Sequence, residues 1–204
     1  MKHVKRYKEL FESQTELSQE QTEWLDKCTI GKWTLNPQTG LVDVDGHFYC
    51  NNQNLTDFKG VRFGVVTRDF ICYDNKLTSL EGAPKKVGGD FRCSSNKLTS
   101  LKDAPQKVEG YFDCSYNNLT SLEGAPKKMG GNFYCPGNPV SESVLKSLYK
   151  KMKSGMSWSD AVVAEWDSIE SGEDKILLAP YNPNLSQEEI KGYQALARLK
   201  RRSI

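Results

Sequence analysis

Phe91-Arg92-Cys93-Ser94-Ser95-Asn96-Lys97-Leu98-Thr99-Ser100-Leu101-Lys102-Asp103-Ala104-Pro105 is followed, 21 residues on, by Phe112-Asp113-Cys114-Ser115-Tyr116-Asn117-Asn118-Leu119-Thr120-Ser121-Leu122-Glu123-Gly124-Ala125-Pro126. The same columns extend in both directions. Phe recurs at 48, 70, 91, 112 and 133, and Cys at 50, 72, 93, 114 and 135. A Gln or Asn column holds Gln53, Asn75, Asn96, Asn117 and Asn138, and an aliphatic column holds Leu55, Leu77, Leu98, Leu119 and Val140. One extra residue lies between Cys50 and Cys72, which a loop can absorb. A fixed period of this length is the mark of a solenoid, in which each turn buries its apolar side chains against its neighbours.

Within a turn, Phe91 and Cys93 alternate with Asp90, Arg92 and Ser94, the period of a strand with one buried face. Gly88-Gly89 and Ala83-Pro84 keep helix off the return side, so each turn reads as one short strand and an irregular arc. The Asn column has an evident task. A side-chain amide carries two donors and an acceptor, enough to satisfy inward-pointing backbone groups where the chain bends.

The pattern Phe-x-Cys-x-x-Asn-x-Leu, followed by Thr-Ser-Leu-x-x-Ala-Pro, resembles the leucine-rich repeat, with Phe and Cys where Leu is usual. Asn96 to Leu101 and Asn117 to Leu122 are similar to its short bacterial class. The wording Glu81-Gly82-Ala83-Pro84-Lys85-Lys86-Val87-Gly88-Gly89, with Tyr111-Phe112-Asp113-Cys114-Ser115-Tyr116-Asn117, also resembles uncharacterised repeat proteins of large tailed bacteriophages. The resemblance implies an α/β solenoid: a leucine-rich-repeat-like parallel β stack with helical caps. Its expected divisions are an N-terminal helical and hairpin cap over 1–44, five repeats over 45–140, and a C-terminal helical cap and appendage over 141–204.

Composition narrows the function classes. Lys and Arg number 28 against 26 Asp and Glu, a net charge of +2, so global electrostatics favour no particular partner. Met1 to Ser13 alternates Lys2, Lys5, Arg6 and Lys8 with apolar residues and reads as neither signal peptide nor membrane span. A cytoplasmic location is expected, the host cytoplasm if a phage encodes the chain. Five of six cysteines share one column. Neighbouring strands stand about 4.8 Å apart, whereas a disulfide requires Cβ atoms nearer 3.8 Å, so a reduced ladder is expected. The paired cysteines or histidine partners of a metal site are missing, and no cofactor is expected.

Outside the repeats the chain reads as helices. Val4, Tyr7, Leu10 and Phe11 share one helical face, and a second helix opens with Ser18 and Gln21 in capping-box spacing. Trp33 to Val44 reads as a hairpin around Asn36-Pro37-Gln38-Thr39-Gly40 and supplies the first rung. Ser141 caps a helix bearing Leu145, Leu148 and Tyr149 and ending at Gly155. Another begins at Ser157 and Asp160, then Ile176 to Leu178 is extended, a turn spans Pro180 to Asn184, and a last helix starts at Ser186 and Glu189.

The outward strand positions form three rows: His47, Asp69, Asp90, Tyr111, Asn132; Tyr49, Ile71, Arg92, Asp113, Tyr134; and Asn51, Tyr73, Ser94, Ser115, Pro136. Tyr and Arg are residue types that anchor interfaces. Tyr49, Asp69, Tyr73, Asp90, Arg92, Tyr111, Asp113 and Tyr134 are therefore the candidate partner-binding residues, with Arg92 and Asp113 expected to pair across strands. His47, Asp69 and Asp90 invite an acid/base or metal reading, but a flat strand face supplies no pocket.

On the return arcs, Arg62, Lys85, Lys86, Lys107, Lys127 and Lys128 could stack, with Glu81, Glu109 and Glu123 interrupting the ridge, and a solvated edge is expected. Arg198, Lys200, Arg201 and Arg202 form a basic tail, the better candidate for nucleic acid. Some bacterial effectors with similar repeats carry a ubiquitin-ligase domain with a nucleophilic Cys, and nothing around Cys28 or after Cys135 matches it. The expectation is a non-enzymatic protein-binding module, with nucleic-acid association through the tail, or a structural role in a particle or homo-oligomer, as alternatives.

Overall fold

The structure, a computed structural model, describes residues 16–201. The amphipathic segment Val4 to Phe11 and the tail residue Arg202 lie outside the described residues.

The chain opens with helix α1 (Gln19–Cys28), whose capping box is formed: the Ser18 hydroxyl accepts the Gln21 N–H while the Gln21 side chain accepts the Ser18 N–H. Trp24, Leu25 and Cys28 are buried. Strand β1 (Thr29–Asn36) runs antiparallel to β2 (Leu41–Tyr49), from Thr29 opposite Phe48 to Asn36 opposite Leu41. Gly31 and Gly46 face each other at φ +129° and +138°, and a Cβ on either would stand about 2 Å from the opposite strand's carbonyl oxygen. Glycine alone permits that approach.

β2 is the first rung and is long enough to serve two columns of parallel strands. β3 (Phe63–Val66), β5 (Lys86–Val87), β7 (Lys107–Val108) and β9 (Lys128–Met129) form one column. β4 (Phe70–Ile71), β6 (Phe91–Arg92), β8 (Phe112–Asp113) and β10 (Phe133–Tyr134) form the other. Each repeat therefore carries two strands, where the sequence suggested one strand and an arc. The chain turns the corner between them at Gly88-Gly89, with the next copies at 109–110 and 130–131. A Cβ on Gly88 would lie 2.2 Å from the Thr67 carbonyl oxygen of the rung below, so rung stacking demands a bare backbone there. The third side, Asn96 to Ala104, is irregular.

The extra residue between Cys50 and Cys72 sits inside a strand, not in a loop. Val42 pairs with Phe63 but Val44 with Val66, a bulge in β3.

The core is a ladder of identical positions. Phe48, Phe70, Phe91, Phe112 and Phe133 stack with centroids 5.3, 5.6, 5.3 and 5.8 Å apart and near-parallel planes. Trp24 meets the first ring edge-on at 5.2 Å and Tyr149 stacks on the last at 4.3 Å, so both helical caps continue the aromatic column. All six cysteines are free and buried. Burial pushes the thiols of Cys50, Cys72, Cys93 and Cys114 well above their ordinary value and that of Cys135 up to about 12.

The Asn column binds rung to rung. Asn75 Nδ2 donates to the carbonyls of Cys50 (2.9 Å) and Cys72 (3.1 Å), while its Oδ1 accepts the N–H of Gln53 and Leu55. Asn96, Asn117 and Asn138 donate to the equivalent pairs of Cys carbonyls. Gln53 departs from this role: its amide accepts from Trp24 Nε1 and donates to Cys28 Sγ, tying α1 to the first rung.

Helix α2 (Glu142–Lys153) closes the far end through Leu145, Leu148 and Tyr149. α3 (Trp158–Glu165), α4 (Gly172–Leu178) and α5 (Gln187–Arg201) follow, with short 3-10 turns at Trp166–Ser168 and Ala179–Tyr181. Ile176 to Leu178 is thus helical, not extended, because Ser171 accepts the Asp174 N–H and starts a helix at Gly172, four residues before Ile176. Ser141 stands at the N-terminus of α2 but makes no cap with its own side chain; it donates its hydroxyl to Asp174 Oδ2.

Candidate functional site

The pairing register aligns the middle one of the three rows read from the sequence, and Ser115 of the third row is buried. Tyr49, Ile71, Arg92, Asp113 and Tyr134 are direct partners across β2, β4, β6, β8 and β10. Ile71 is 9% exposed, so it is buried and not presented on the face.

The N-terminal half of the face is an ionic network. His47 Nδ1 lies 3.2 Å from Asp69 Oδ2 and 3.0 Å from the Tyr49 hydroxyl. Burial, then the neighbouring Asp69 carboxylate, raises the Tyr49 phenol above its ordinary value. Asp69 Oδ1 accepts the Asp90 N–H at 2.8 Å, and Asp90 Oδ1 accepts the Tyr111 N–H at 2.9 Å. These carboxylates cap corner N–H groups of the following rung. Asp90 Oδ2 pairs with Arg92 Nη2 at 2.7 Å. The expected cross-strand pair of Arg92 with Asp113 does not form: Arg92 turns to Asp90 on its own strand, and Asp113 takes the N–H and hydroxyl of Ser115 instead. Two-residue spacing puts these partners on the same face, already side by side.

The C-terminal half is aromatic. Tyr111 and Tyr134, 43% and 40% exposed, meet edge-on with centroids 5.8 Å apart. Asn132 Nδ2 donates to the Tyr134 hydroxyl at 3.3 Å. Tyr116 is the most exposed large hydrophobic residue described, at 65%. It was not among the candidates from sequence, yet a signal was there: its column otherwise holds Asn52, Asp74, Ser95 and Gly137. All are residues suited to a left-handed corner, where Tyr116 itself has φ +52°. Its ring lies over Gly137, where a Cβ would stand 2.4 Å from Tyr116 Cδ1. Tyr73 is half-buried at the other end.

This surface presents rings, the Arg92 guanidinium and paired carboxylates, and the carboxylate oxygens of Asp69 and Asp90 already have partners. Among the described residues no group of three or more His, Cys, Asp or Glu is placed to hold a metal ion. Arg198 is exposed on α5. No described helix is long and apolar enough to cross a membrane.

The fold and the face define a parallel β-solenoid of repeats about 21 residues long, closed by helices. Compared with family models, curated proteins and solved structures, the chain matches none.

Proposed function

We propose that the protein is a non-enzymatic binding module of leucine-rich-repeat type, whose strand face docks a protein partner. The observation that carries this reading is the exposed tyrosine cluster, Tyr111 and Tyr134 edge to face with Tyr116 on the same rungs, next to Arg92. Contiguous exposed aromatics mark interaction surfaces, and Tyr and Arg supply most of the anchoring energy in interfaces. The solenoid adds a rigid platform on which these anchors are held in fixed spacing. The resemblance to phage repeat proteins makes a host factor or another phage protein in the host cytoplasm the partner this reading favours.

Affinity purification from a host lysate, with and without nuclease, tests it. The variant combines Tyr49→Ala, Arg92→Ala and Tyr134→Ala, none of which is a core position, and a matching thermal melt verifies its fold. A protein retained by the native chain after nuclease and lost by the variant is the expected result. Retention by both, with unchanged yield, refutes the strand face as the docking site.

A further inference from the structure

The two-column architecture brings together lysines that the sequence scatters. Lys86 pairs with Lys107 and Lys107 with Lys128 on the column formed by β5, β7 and β9, and all three are exposed. With rungs about 4.8 Å apart, three ammonium groups rise from one line within about 10 Å. Beside them runs a second row, Lys85, Gln106 and Lys127, joined rung to rung through Gln106 N–H to the Lys85 carbonyl and Lys127 N–H to the Gln106 carbonyl. Lys127 and Lys153 of α2 line one shallow recess, so the basic face continues onto the capping helix.

Like charges directly opposite on neighbouring strands repel, and little on this protein answers them. Lys107 pairs with Glu109. Among the described residues, Lys85, Lys86, Lys127, Lys128 and Lys153 have no carboxylate within 4.0 Å. Glu81 and Glu123, which interrupt the charge run in the sequence, fall on the irregular side and reach none of these lysines. The expected solvated edge is thus a ladder of positive charge that, among the described residues, a carboxylate answers at Lys107 alone.

We propose that this ladder docks the phosphate backbone of double-stranded DNA, without reading its sequence. Lysine is a compact point charge suited to phosphate, not to the bidentate recognition of base edges. Single strands are held by stacking bases on aromatic rings; Tyr149, which lines the recess with Lys127 and Lys153, is buried. Base or sugar reading needs free polar side chains, and the Gln106 amide already donates to the Ala104 and Gly124 carbonyls. A duplex carries one negative charge per about 1.7 Å of axis, dense enough to give every lysine of the ladder a phosphate. The face lies around the Gly88-Gly89 corner from the tyrosine cluster, so the inference is independent of the protein-binding reading.

The test is fluorescence anisotropy of the full chain with a labelled duplex of about 20 base pairs, in salt from about 50 to 300 mM. Native protein should bind with a logarithmic salt slope of about −3 to −5. A variant with Lys86→Gln, Lys107→Gln and Lys128→Gln should bind at least about tenfold more weakly, with the slope reduced by about three. Its melting temperature should equal or exceed the native value, since repulsion is relieved, which separates lost binding from lost folding. A tail variant, Arg198→Gln, Lys200→Gln, Arg201→Gln and Arg202→Gln, should bind as the native chain does. Absence of binding at the lowest salt, undiminished binding by the ladder variant, or loss confined to the tail variant would overturn the proposal. So would polyglutamate or single-stranded DNA competing as well as duplex.

Discussion

The side-chain amide of Asn96 donates to the main-chain carbonyl of Cys72, 3.0 Å away and one rung earlier, while its Oδ1 accepts the Leu77 N–H at 2.9 Å. One side chain thus replaces the ladder bonds that the chain forfeits when it leaves the strand, and it does so across the rung boundary.

Asn96→Ala should therefore be costly out of proportion to its size. It strands buried donors and acceptors, each worth about 1–3 kcal/mol when unsatisfied, and the expected loss is roughly 2–4 kcal/mol in urea unfolding. The exposed neighbour Lys97→Ala is the control and should stay within about 0.5 kcal/mol of the native value. Equal midpoints for the two variants would contradict the bridging role.

The thiol ladder makes stability fall at alkaline pH. Burial holds the folded-state thiols above their ordinary value, with Cys135 raised to about 12. Above about pH 8.5 the unfolded chain releases protons that the folded chain keeps, so the unfolded state is favoured as pH rises. Stability should be full below about pH 8 and then decline toward pH 12, each thiol contributing up to about 1.4 kcal/mol per pH unit. Urea midpoints at pH 7.5, 9 and 10.5 check the sign, and a flat profile would refute it. Native protein at pH 8 should also resist thiol reagents that label all the cysteines once urea is added.

Asp174 joins the C-terminal helices to the solenoid cap. Its carboxylate, 3% exposed, accepts the Ser141 N–H at 2.8 Å and the Ser141 hydroxyl at 2.7 Å, placing a negative charge at the start of α2. Asp174→Ala should cost about 1–3 kcal/mol and speed tryptic cleavage after Lys153, with Asp174→Asn intermediate. Unchanged cleavage kinetics would show that α4 is held by its apolar contacts alone.

Repetition explains why so much of the core was legible. Phe91, Cys93, Asn96 and Leu98 meet the same neighbours as Phe112, Cys114, Asn117 and Leu119, so each turn restates the constraint and the buried columns stand out. Capping motifs such as Ser18 with Gln21 are equally local. The second strand column was not legible, because Lys86-Val87 is too short to show a period. Tyr116 was missed because it sits at a corner, outside the strand alternation.

From the sequence alone follow the period, the buried columns, the reduced cysteine ladder and most of the outward positions, since stacking identical turns imposes one packing rule throughout; Ile71 and Ser115 are buried instead. Tertiary structure decided what depends on approach between residues distant in the chain or on competing partners. Arg92 chose Asp90 over Asp113, Asp174 reached Ser141, and Lys86, Lys107 and Lys128 came into register, with Lys107 paired to Glu109. Polar surface groups are paired by geometry, and that geometry exists only once the rungs have stacked.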